Sequence, residues 1–190
     1  MPILGILASQ ITGHLSTNSY ESIATVTIGA GGASSATFSS IPSTYKNLQI
    51  RALARTDRAS NPQDFLQVRY NSDTGANYAY HSLYGNGASA GGNDTGTSTA
   101  NPWSAVVAGA TATASVFGTF VADLVDYTNT NKYKTLRSLS GIDNNDTSGR
   151  LYFQSNLWQN TAAVSTITIQ PVYGTNFVQY SSFALYGVKG

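Results

Sequence analysis

The sequence predicts an all-β fold: an antiparallel β-sandwich or jelly roll preceded by an apolar N-terminal arm. Three observations point there. Short runs of Val, Ile, Thr, Tyr and Phe alternate apolar with polar residues, the period-two pattern of a half-buried strand. Clusters of Gly, Asn, Ser, Pro and Asp separate these runs at regular spacing. The usual builders of exposed helix faces are nearly absent: one Glu (Glu21), four Lys, and 10% charged residues, against about 25% in an average soluble domain.

In chain order, residues 1–18 read as the arm, with Ile3, Leu4, Ile6 and Leu7 as its anchoring candidates and Ile11 following. No basic residue precedes His14, so a secretory signal is a poor match, and the apolar stretch is too short to span a bilayer. Residues 19–190 read as a single sandwich domain. Tyr20 to Ile28 alternates as a first strand, with Ala24, Val26 and Ile28 on one face. Gly29 to Gly32 breaks it, and Ser35 to Ser40 is expected to pair back as a hairpin. Tyr45 to Ala54 points Leu48, Ile50, Ala52 and Ala54 inward. Asp64 to Asn71 does the same with Leu66, Val68 and Tyr70.

Residues 71–114 are rich in Gly, Ser, Asn, Thr and Ala, and a structureless stretch of that length is unusual in a compact domain. Short strands are expected around Tyr78 to Leu83 and Trp103 to Val107, with Gly85 to Thr99 as a surface loop. Ser115 to Tyr127 is apolar on both faces, the mark of a central strand. Lys132 to Ser140, Arg150 to Trp158, Val164 to Gln170 and Tyr180 to Val188 complete the set, separated by Asn- and Gly-rich turns.

The formal charge of +1 and the scattered Lys and Arg supply no electrostatic footprint for nucleic acid. Cysteine is absent, which removes disulfides and thiolate metal sites. Gly87-Ala88-Ser89-Ala90-Gly91 matches the G-x-S-x-G nucleophile elbow, yet Gly92, Asn93, Asp94, Thr95 and Gly96 cannot start the helix that motif requires. Gly85-x-Gly87-x-x-Ala90 lacks the βαβ frame of a dinucleotide site. Asp143, Asn144, Asn145 and Asp146 offer oxygen ligands for a hard cation, but the EF-hand spacing fails, and an Asx-rich hairpin turn accounts for them.

Asp123 and Asp126 lie three apart on one strand and face opposite ways, a poor acid/base pair. The scattered Asp residues leave a polysaccharide hydrolase as the weakest reading. Two histidines, His14 and His81, are too few for a three-histidine metal site. No catalytic residue, cofactor or metal is therefore expected. Twelve Tyr and two Trp sit among Asn, Ser and Thr. Filling sheet faces and subunit contacts is the reading their composition favours. A glycan-contacting surface of Tyr78, Tyr80, Tyr84 and Trp103 is the alternative.

Five stretches, SYESIATVTIG (19–29), IPSTYKNLQIRALAR (41–55), RYNSDTGANYAYH (69–81), NTNKYKTLRSLSG (129–141) and QYSSFALYGVKG (179–190), together resemble small virion structural proteins of tailed bacteriophages. The closing Leu185-Tyr186-Gly187 is the most characteristic piece. The resemblance implies a β-sandwich subunit on the particle surface, either a capsid decoration or cement protein or a tail-fibre, receptor-binding subunit. It implies as partners further copies of the chain (a homotrimer), other virion proteins such as major capsid or tail proteins, and, for a fibre, host surface glycan. Membrane insertion is not expected.

Overall fold

The computed structural model describes residues 19–146 and 148–190. The anchoring candidates Ile3, Leu4, Ile6 and Leu7 lie outside that range. The described residues form twelve strands: β1 (Tyr20–Thr27), β2 (Ala36–Phe38), β3 (Asn47–Ala54), β4 (Gln63–Tyr70), β5 (Tyr78–Gly85), β6 (Ala90–Asp94), β7 (Trp103–Ala108), β8 (Gly118–Val125), β9 (Lys134–Ile142), β10 (Arg150–Trp158), β11 (Ile167–Pro171) and β12 (Ser182–Val188). They build two antiparallel sheets packed as a sandwich. One has eight strands in the order β1-β12-β3-β8-β9-β10-β5-β6, the other four in the order β2-β11-β4-β7.

Alternation decides which side chains enter the core. From the large sheet come Leu48, Ile50, Leu124, Leu136, Phe183 and Leu185, and from the small sheet Leu66, Val68, Ile167 and Ile169, all essentially inaccessible to solvent. Trp158 closes one end, its indole N–H donating to Asp73 Oδ2 at 2.8 Å. Arg55 holds the 110–116 loop. Its guanidinium donates to the carbonyls of Ala110, Ala112, Thr113 and Val116 at 2.8–3.0 Å.

The small sheet ends on β7, whose free side meets a main-chain bridge, Thr56 N donating to Ala108 O at 2.8 Å, and the large sheet supplies further partners from side chains. Ser138 Oγ donates to Ser104 O, and Val106 N donates to Ser140 Oγ at 3.0 Å. Gln154 Nε2 and Asn156 Nδ2 both donate to Trp103 O, at 3.2 and 2.6 Å. All four side chains are buried on the inner face of β9 and β10. An unpaired edge is thereby satisfied inside the molecule. This polar stripe separates the main core from a smaller cluster of Val106, Ala108, Ala112, Ile142 and Tyr152.

Three expectations need correction. The hairpin of the first two strands does not form: β1 pairs with β12, whereas β2 pairs with β11 in the other sheet. Ala36 and Phe38 bury themselves against the small sheet, and that packing outweighs local pairing across the glycine turn. Within Gly85 to Thr99, residues Ala90–Asp94 form β6, an edge strand on β5. Its small residues gave no periodic signal, and Gly91 is covered by the ring of Tyr84, its cross-strand partner. The strand expected over Ser115 to Tyr127 shortens to Gly118–Val125, because Ser115 (φ 65°) and Asp126 (φ 50°) adopt left-handed backbone at both ends.

Titratable groups in these loops set a pH profile. Burial works to raise Asp57, but the backbone N–H groups of Asn176 and Thr175 outweigh it and hold the carboxyl below its ordinary value. Asp73 is likewise lowered, burial being opposed by the Trp158 and Asn77 hydrogen bonds. The hydrogen bonds from Lys46 and Lys132 bring Asp126 down to about 2. Each carboxyl is more acidic folded than unfolded, so its stabilisation is complete above the unfolded value and is lost as pH falls through the folded one. Tyr78 runs the other way: burial pushes it up to about 12 from 10.0, and Tyr70 is raised by burial too. Their contribution is present below pH 10.0 and is lost as pH rises toward 12. Thermal melting followed by near-ultraviolet circular dichroism should therefore show a plateau through neutral pH. The midpoint should fall from pH 3.8 towards 2 and again above pH 10.0.

Candidate functional site: an apolar concavity on the large sheet

The outward positions of the central strands depart from the expected polar exterior. Cross-strand register aligns Arg51, Val121, Leu139, Phe153 and Leu83 in one row, and Leu53, Thr119, Gly141, Leu151 and Gly85 in the next. Leu139 is 53% exposed, Phe153 51%, Leu83 61% and Leu151 63%. A single exposed Leu needs no explanation, but neighbouring apolar side chains on adjacent strands form a patch of the kind that marks a contact surface.

The patch is dished. Leu53, Phe117, Thr119, Leu139, Gly141 and Leu151 line it together with Gly85, Asn86 and Gly87 of one turn and Asp143, Asp146, Gly149 and Arg150 of another. The resulting concavity measures about 1150 Å³. Its charged rim carries Arg51 and Arg150 against Asp143 and Asp146. Arg51 is fixed by its neighbours. Its Nε donates to Gln49 Oε1 at 2.7 Å, and its guanidinium lies over the rings of Tyr20 and Tyr186 at 5.6 and 5.2 Å.

Reactive groups do not converge there. Asp143 Oδ1 accepts from Asn145 N at 2.8 Å, and Asp146 Oδ1 accepts from Ser148 N and Oγ, both at 2.6 Å. These are Asx-turn bonds, and those from Ser148 keep the Asp146 carboxyl below its ordinary value. Among the described residues, no three His, Cys, Asp or Glu side chains are grouped so as to hold a metal ion. Ser89 lies in the turn between β5 and β6, donating to Asn86 Oδ1 at 3.2 Å, with a strand and no helix after it. Asp123 accepts from Gln49 on the outer face, whereas Asp126 binds Lys46 and Lys132. His81 pairs with Asp94 across β5 and β6 at the edge of a polar cleft of about 400 Å³ lined also by Ser98 and Gln159.

The four aromatic candidates do not make one open surface. Tyr78 is 1% exposed, its hydroxyl donating to Asp73 O at 3.0 Å, and Tyr80 is buried. Trp103 is stacked between Phe65, with centroids 4.4 Å apart, and Tyr80, at 5.6 Å. Both faces of the indole are thus occupied, which removes the platform that sugar stacking would use. Tyr84 stacks on Tyr152 at 5.2 Å and carries Arg150 over its ring. The exposed member of this seam is Tyr173, which sequence reasoning missed, with Arg58 4.2 Å from its centroid.

The residues of the concavity were missed as well. The signal existed as apolar residues at both parities along single strands, such as Leu136 with Leu139 and Leu151 with Tyr152. Strand order was needed to bring them together. No family model, curated protein or solved structure matches the chain.

Proposed function

We propose that the chain is a non-enzymatic structural subunit of a bacteriophage virion, self-assembling on the particle surface as a capsid decoration or cement protein. The observation that carries this reading is the exposed apolar concavity on an otherwise Ser-, Thr- and Asn-rich exterior. A face of that kind lowers its free energy by being covered, at about 25 cal/mol per Å² of apolar surface removed from water. Symmetric self-assembly is the common way to cover it. The resemblance of the five strand and turn segments to phage virion proteins supplies the setting, with homotrimers and contacts to the major capsid or tail proteins. The tail-fibre reading, with host glycan as ligand, has less support, because Tyr78, Tyr80 and Trp103 are engaged with other protein groups.

Sedimentation velocity on the full chain tests self-assembly. We expect a concentration-dependent oligomer that Leu139→Asp combined with Phe153→Asp converts to monomer. Loss of two buried apolar contacts and desolvation of two carboxylates should raise Kd roughly a thousandfold, or about 4 kcal/mol. Melting should be little changed when both proteins are compared at a dilution where they are monomeric, since both side chains stand on the outer face. A monomeric parent chain would overturn the reading. Particle proteomics tests the setting: a copy number matching the capsid lattice supports decoration, whereas a few copies per tail supports the fibre.

A further inference from the structure

We infer that the concavity is the receptor for the N-terminal segment of an adjoining copy, with Ile3, Leu4, Ile6 and Leu7 seated between Leu53, Phe117, Leu139 and Leu151 and beside the neighbouring Phe153. The inference rests on the assembly reading above and names its contact. Three features of the chain select this occupant.

The first is chemistry. Residues 1–18 carry no Asp, Glu, Lys or Arg and concentrate Ile3, Leu4, Ile6, Leu7 and Ile11 within nine positions. Such a segment can enter an apolar groove without stranding a charge. The second is shape. The groove is a concavity of about 1150 Å³ lined by both strand side chains and turn residues, Gly85, Asn86, Gly87, Asp143, Asp146 and Gly149 among them. A concavity of that size admits a narrow segment bearing apolar side chains, which a flat sheet face would not fill.

The third is direction. Thr27 of β1 aligns through Ser182 with Leu53 and Thr119 at the groove end of the sheet, and Tyr20 aligns through Val188 with Asn47 and Val125 at the opposite end. β1 therefore begins at the end of the sheet opposite the groove. Eighteen extended residues reach about 60 Å, while a neighbouring β9 lies only a few strand spacings of about 4.8 Å from the edge of its own sheet. Reach is ample for delivery to a second copy. Passed from each copy to the next, the exchange is a head-to-tail interface, which makes a ring where the rotation between copies closes and a filament where it does not.

The chain has no cysteine, so every engineered thiol pair is unambiguous. Full-length Leu7→Cys and Leu139→Cys chains are refolded as a mixture and treated with a short bismaleimide. The expected product is a two-chain adduct, at least tenfold more abundant than with Thr135→Cys, which stands on the outer face of β9 outside the groove. In parallel, full-length Leu4→Asp with Leu7→Asp should weaken self-association at least a hundredfold, with melting unchanged at a dilution where both proteins are monomeric.

A crosslink confined within single chains of the double variant Leu7→Cys with Leu139→Cys would overturn delivery between copies. Adducts of Leu139→Cys with itself would do so as well, by showing face-to-face packing. If the Asp pair in the segment leaves Kd unchanged while Leu139→Asp with Phe153→Asp still dissociates the oligomer, this contact is wrong and self-assembly stands. If the parent chain is monomeric, both fail together.

Discussion

Asp64→Ala should destabilise the fold by about 4 kcal/mol, seen as a fall in the urea midpoint with an unchanged slope. Asp64 is fully buried and spends its carboxylate on four donors. Thr56 Oγ1 and Gly174 N bond to Oδ2 at 2.8 and 2.9 Å, and Phe65 N and Tyr173 N bond to Oδ1 at 2.7 and 3.2 Å. Alanine leaves these donors in the interior unmatched, at about 1–3 kcal/mol for each that finds no water. Asp57 grips the same loop from the other side, accepting from Thr175 N and Asn176 N at 2.7 and 3.0 Å. A Cβ on Gly174 would come within 2.8 Å of Asp64 Oδ2 and 2.9 Å of Asp57 Oδ1, so the loop closes between two carboxylates only with glycine there. Asp64→Asn keeps the shape but turns an NH₂ group toward two N–H donors or toward Thr56, and should fall between parent and alanine. An alanine variant as stable as the parent would show that the 172–176 loop is held by something else.

Gly187→Ala should cost about 3 kcal/mol by overpacking. Gly187 is buried on β12, and the ring of Tyr45 lies flat across it. A Cβ would fall well inside contact distance of Tyr45 Cγ, Cδ1 and Cδ2. Neither side yields easily: β12 is paired with β1 on one side and β3 on the other, and Tyr45 packs against the main core. The diagnostic measurement is a double-mutant cycle. Tyr45→Ala removes the obstruction, so Gly187→Ala added to it should be nearly neutral, giving a coupling energy of about 2–3 kcal/mol. Additive losses would mean that the methyl is resisted by the backbone instead.

Gly187 also shows why a sequence can flag a residue without revealing its reason. The closing Leu185-Tyr186-Gly187 stands out in the chain, but only the folded register lays Tyr45 on that glycine. Elsewhere the alternation of Leu48, Ile50, Leu66, Val68 and Tyr70 identified core faces directly, because a period of two is set by local backbone geometry. Pairing partners were less legible. β2 reads as the return strand of a hairpin, and it is the burial of Ala36 and Phe38 beneath the other sheet that moves it. β6 carries only Ala, Gly, Asn and Asp, a composition with no periodic signal, and exists because β5 offers it a ladder. The candidate site was hidden for the same reason: Leu53, Leu139, Leu151 and Phe153 are far apart in sequence and become one surface only through strand order. Trp103 is the opposite case. A ligand platform was the alternative reading of its Asn-, Ser- and Thr-rich surroundings, but Trp103 is stacked with Phe65 and Tyr80 inside the protein.

The side chains of Ser138, Ser140, Gln154 and Asn156 that meet β7 have a consequence for how this margin receives another chain. A bare ladder at that margin would recruit any passing chain by main-chain bonding, and adjacent copies would zip together without regard to geometry. With those groups already spoken for inside each copy, the margin offers a newcomer no template. At this margin contact with another chain is left to side-chain complementarity, whereas β1, β2 and β6 border their sheets elsewhere.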